Sequence, residues 1–160
     1  MRALVHTFIL LACFTAPLYA APASIVPLTI KGKAITIDSS ADRASIATTL
    51  KGVFKKEAPS VSLPDFLQYD FSAVEGQGPV SLNFKFDTRG MWTEIDIFAY
   101  MKEQNPVAQQ LVGWLTKKVG KGKKNGKKTT WKFEGLVYRL EEVKDSGDES
   151  AYSMNISKIR

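Results

Sequence analysis

The stretch from Val80 to Met101, VSLNFKFDTRGMWTEIDIFAYM, alternates apolar and polar side chains on both sides of a turn. Val80, Leu82, Phe84 and Phe86 fall on one side, with Ser81, Asn83, Lys85 and Asp87 on the other, and period two is the signature of a half-buried strand. Asp87-Thr88-Arg89-Gly90 is a turn, with Gly90 supplying the positive φ that a short hairpin loop demands. The return strand places Ile95, Ile97, Ala99 and Met101 on the core side, and Trp92, Glu94, Asp96, Phe98 and Tyr100 on the other. Just upstream, Leu67, Tyr69, Phe71 and Ala73 share one face, with Gln68, Asp70 and Ser72 opposite. Three such segments predict an antiparallel meander with one buried face.

Working outward from the meander, Val26, Leu28 and Ile30 alternate before Lys31-Gly32-Lys33, and Ile35 and Ile37 after it, which reads as a short hairpin with Pro27 at an edge. Ser39 or Ser40 can cap a helix over Ala41 to Lys55, where Ile46, Leu50, Val53 and Phe54 repeat at helical spacing. Ala58 to Pro64 is a Pro/Ser linker without periodicity. Beyond the meander, Asn105-Pro106 opens a second helix, because Asn caps well and proline at the first helical position loses no useful donor. Val107, Leu111, Trp114 and Leu115 form its apolar face and Gly120 ends it. Trp131 and Phe133 are in phase with each other and out of phase with Leu136, Tyr138 and Leu140, so Gly135 marks a bulge or a tight turn. Asp145 to Ser150 is the last loop, and Tyr152, Met154 and Ile156 alternate in a closing strand.

The expected order is β-β-α-β-β-β-α-β-β, an α+β fold with an antiparallel sheet and two helices packed on one face. A helix followed by an aromatic-led meander occurs twice, at 41–101 and 105–159, without a residue-level repeat. In element order this outline is similar to small exported modules such as the BamE-like outer-membrane assembly lipoproteins and the beta-lactamase inhibitor proteins; the likeness carries no functional residue.

Met1 to Ala20 has the parts of a cleaved secretory signal: Arg2, an apolar run from Ala3 to Phe14, and small residues up to a cleavage point after Ala20. Leu10-Leu11-Ala12-Cys13 also resembles a lipoprotein box. The mature chain, 21–160, is then a single domain in the periplasm or outside the cell. The single His and single Cys of the 160 residues, His6 and Cys13, both lie in the leader. Once it is removed, disulfides, Cys or His metal ligands, a thiol nucleophile and Ser-His-Asp machinery are all excluded, and no cofactor is expected. Paired carboxylates at Glu94 and Asp96, or at Glu141 and Glu142, read as solvated strand residues rather than catalysts, and Asp145 to Ser150 lacks the spacing of a calcium loop.

Charge is the most informative feature. The chain carries 22 basic and 16 acidic residues, a net of +6. Lys117, Lys118, Lys121, Lys123, Lys124, Lys127, Lys128 and Lys132 supply eight of the positive charges, with no acid between Glu103 and Glu134; setting Arg2 aside as well, the remaining body is mildly acidic. Gly120, Gly122 and Gly126 give the segment mobility and Asn125-Gly126 favours a hairpin tip, so a loop over 117–128 would present seven lysines to an anionic partner. Lysines also keep loops soluble and block edge-to-edge strand pairing. Nucleic acid is a poor fit, because the segment has no arginine for bidentate base contacts. The expected function is a non-enzymatic, protein-binding inhibitor or immunity-type module that uses these seven lysines with Trp92, Phe98 and Tyr100 against an acidic protein. The alternative is peripheral attachment to anionic lipid, lipopolysaccharide or cell-wall polymer through the loop alone.

Overall fold

A computed structural model describes residues 24–55, 57–72, 78–100, 105–144 and 150–159. The leader, Ala73, Met101 and positions 145–149 of the last loop lie outside them. The order is β1 (Leu28–Ile30), β2 (Lys33–Ile35), α1 (Arg43–Val53), β3 (Val61–Leu63), β4 (Phe66–Phe71), β5 (Val80–Phe86), β6 (Trp92–Ala99), α2 (Pro106–Val119), β7 (Lys123–Asn125), β8 (Lys128–Phe133), β9 (Leu136–Lys144) and β10 (Ser150–Lys158). This is the α+β, antiparallel architecture expected, with three additional strands, one of them because the run over 131–140 divides at Gly135 into β8 and β9. β3 lies within the Pro/Ser linker and β7 within the lysine segment, and three residues each are too few to show a period.

Eight strands form one antiparallel sheet in the order β3-β4-β5-β6-β10-β9-β8-β7. That order is a palindrome of two units, each a helix followed by a four-stranded meander, joined where β6 pairs with β10. The seam matches Ile97 with Met154 and Ile95 with Ile156. On the inner face Leu67, Tyr69, Phe71, Leu82, Phe84, Ile95, Ile97, Met154, Ile156 and Tyr138 are buried, in one cluster with Ile46 and Leu50 of α1 and Leu111 and Leu115 of α2. The β1–β2 hairpin lies in the helical layer, with β1 against α2 and β2 against α1. Gln110 Oε1 accepts from the Thr29 backbone N–H at 2.9 Å, and Lys33 Nζ donates to the Val53 carbonyl at 3.0 Å.

Local signals account for the element ends. Helix α2 starts as expected: Asn105 accepts from the Val107 N–H, and Pro106 follows. Helix α1 is shorter than its apolar stripe. Its cap is Asp42 rather than Ser39 or Ser40, because the Asp42 carboxylate takes the Ser45 N–H while the Ser45 hydroxyl takes the Asp42 N–H, a reciprocal box. The phase slip before Leu136 is a tight turn: Glu134 and Gly135 have φ of 49° and 75°, the two positive values of a two-residue hairpin loop.

Candidate binding surface

The lysine segment is ordered, which corrects the expectation of mobility: Lys117 and Lys118 lie in the last turn of α2, and Lys123, Lys124, Lys127 and Lys128 belong to a hairpin. β7 pairs with β8 through Lys123 with Thr130 and Asn125 with Lys128, leaving Gly126 and Lys127 as the two-residue tip. Trp131 holds it down. The buried indole donates from Nε1 to the Gly120 carbonyl at 3.2 Å. A Cβ at Gly122 would run into that ring and come within 2.5 Å of Thr129 Cγ2, so glycine is what lets the backbone lie on the tryptophan. Lys117, Lys118, Lys121, Lys123, Lys124, Lys127 and Lys128 are all exposed. Among the described residues Lys128 is the one of these seven that forms an ion pair, with Glu141 at 3.0 Å.

The register places Lys123 and Lys128 of this hairpin on the sheet's outer face together with part of the meander, and Lys124, paired with Thr129, on the opposite one. Lys128 stands opposite Glu141, Glu141 opposite Ser153, Ser153 opposite Phe98, and Phe98 opposite Ser81. Phe98 and Lys128 thus lie in one row, three strand spacings or roughly 14 Å apart. Phe98 and Tyr100 are half-buried. Trp92 is not part of this face. Lys85 pairs with Glu94, but the next pair is Phe86 with Trp92, one residue out of step. A bulge of this kind re-aims a side chain, and Trp92 lies in the buried cluster with 0% exposure. Lys158 Nζ lies 4.4 Å from its ring centroid, and its Nε1 is sealed from solvent without a hydrogen-bond partner among the described residues.

At the centre of the outer face the two carboxylates of β6 meet a polar network. Asn155 Nδ2 donates to Glu94 Oε1 and to Asp96 Oδ1, both at 2.8 Å, and Arg139 Nη1 donates to Asn155 Oδ1 at 3.2 Å and Ser157 Oγ at 3.0 Å. Lys85 Nζ lies 3.1 Å from Glu94 and 3.8 Å from Asp96. The two acids diverge. Burial, with the neighbouring Glu94 charge, pushes Asp96 above the usual aspartate value against the Asn155 hydrogen bond. Burial opposes ionisation of Glu94 too, but Lys85 and Asn155 outweigh it and hold that carboxyl below its usual value. The arrangement fits a saturated structural ladder: each carboxylate already has its partners within the sheet.

Among the described residues no group of three or more His, Cys, Asp or Glu could hold a metal ion, and no helix is long and apolar enough to cross a membrane. Compared with protein-family models, with curated proteins and with solved structures, the chain finds no match.

Proposed function

We propose that this chain is a non-enzymatic binding module of inhibitor or immunity type, exported by its leader, which caps an acidic surface on another protein. The observation that carries the reading is the row joining Lys128 to Phe98: the outward residues of a basic hairpin fixed by Trp131 and a half-buried aromatic share the sheet face opposite the two helices, within the span of a standard interface of about 800 Å² per partner. Lysines carried on an ordered backbone lose less freedom on binding than those of a mobile loop would, and their field steers an anionic partner. Lys123, Lys127, Lys128 and Phe98 are the contact residues, with Tyr100 at the margin; Lys117 and Lys118 at the end of α2, Lys121 and Lys124 add to the positive field. Trp92, buried under Lys158, supports the sheet instead.

The test is a periplasmic pull-down with the wild-type protein and with K123E/K124E/K127E. A stoichiometric partner retained by the first and lost by the second, with unchanged circular dichroism, supports the proposal. Salt-sensitive sedimentation with anionic liposomes or sacculi, and no stoichiometric partner, would transfer it to envelope attachment through the same lysines.

A further inference from the structure

We infer that the groove between α1 and the β3–β4 hairpin is a second binding site, made for a small organic anion: an oxyanion carried on an apolar body. The groove encloses about 370 Å³, within the range of small-molecule sites, and is lined by Arg43, Lys51 and Lys55 above a floor that includes Ala47, Pro59, Leu67 and Tyr69. Arg43, Ala47 and Lys51 recur every fourth residue, so one stripe of α1 faces it, and Lys55 extends the stripe past the helix end.

Three details fit an anion rather than water alone. Arg43 is pinned, its Nε donating to the Leu63 carbonyl at 3.2 Å and its Nη2 to Ser62 Oγ at 2.8 Å, which leaves Nη1 unused among the described residues. A guanidinium fixed in this way is ready for a second acceptor at no cost in freedom. The acid of the groove, Glu57, is already engaged by Lys31 at 2.6 Å, whereas Lys51 and Lys55 have no hydrogen bond or ion pair to a described residue. The third detail is the phenol of Tyr69. The residue is 3% exposed, and its hydroxyl makes no hydrogen bond among the described residues. Trp92 Nε1 is the sole fully sealed, unpartnered side-chain polar atom among them, so the Tyr69 oxygen is not fully sealed, and Tyr69 is one of the residues that line the groove. The nearby Arg43 charge eases ionisation of that phenol, although burial dominates and raises it. Arg43, the two lysines and Tyr69 thus supply donors to one groove, and its apolar residues accept the ligand's body.

The site is independent of the lysine hairpin, and the test separates them. Full-length mature protein labelled with ¹⁵N is titrated with hexanoate and with phenyl phosphate, against sodium chloride at matched ionic strength. Saturable shifts at the Ala47, Ser62 and Leu67 amides are expected with at least one probe, and the stronger probe tells a carboxylate ligand from a phosphate one. K51Q/K55Q should weaken that binding roughly tenfold or more, Tyr69→Phe should weaken it with the fold intact, and K123E/K124E/K127E should leave it unchanged. No saturable shift with either probe, equal affinity in K51Q/K55Q, or shifts confined to the hairpin would overturn the inference.

Discussion

Asp96 and Trp92 show how much a single side chain's surroundings decide. The Asp96 carboxyl binds its proton more tightly in the folded chain than in the unfolded one, so its charge opposes folding above the folded value, and that penalty fades as pH falls through the window between the folded value and 3.8. Asp96→Asn keeps an oxygen for the Asn155 amide and drops the charge. The variant is expected to melt higher than wild type at pH 7, with the gap closing towards pH 4; a lower melting temperature at pH 7, or a difference that ignores pH, would contradict this. Glu94 works in the opposite direction, its stabilisation present at neutral pH and lost on acidification. For Trp92 the expectation concerns packing. Trp92→Ala removes a fully buried indole and should cost about 3–5 kcal/mol in urea unfolding. A loss below 1 kcal/mol, with binding abolished, would put the indole back at an interface.

At the scale of elements, the sequence was legible where a period had room to repeat. β4, β5, β6 and β9 run six to nine residues and announce themselves by alternation, and α2 carries its cap, its proline and its closing glycine in plain view. The three-residue strands β3 and β7 have no period to read; pairing with β4 and β8 creates them. The bulge at Trp92 was hidden for a related reason, because an unbroken alternation from Trp92 to Tyr100 fits two registers and only the partner strand chooses between them. The hairpin's lysines were evident, but its rigidity was not, since it depends on Trp131 meeting a glycine nine residues earlier. Gly122→Ala forces a methyl into the Trp131 ring and is expected to cost about 1–3 kcal/mol. Amide exchange in β7 should quicken more than in β9. Uniform protection across β7, β8 and β9 in that variant would mean the clasp is not what orders the hairpin.

For the whole molecule the decisive feature is the seam. Each unit ends on the strand that the other needs, β6 for one and β10 for the other, and Ile95, Ile97, Met154 and Ile156 belong to the same buried cluster as residues of both helices. A unit on its own would present a long apolar-faced edge, an arrangement that folded sheets avoid. The β1–β2 hairpin ties the halves again in the helical layer, touching α2 with one strand and α1 with the other. Two units with separate cores would melt separately. Here the core is shared, so denaturant unfolding should be a single transition. In a Trp92→Phe background, which removes the tryptophan of the first unit, Trp114 and Trp131 report on the second unit, whereas far-ultraviolet circular dichroism reports on both. The fluorescence and dichroism midpoints are expected to coincide in that background and to move together when Ile97→Ala, which lies in the first unit and should cost about 2–5 kcal/mol, is added. A fluorescence midpoint left in place while the dichroism splits into two steps would show that the seam joins two independent folding units.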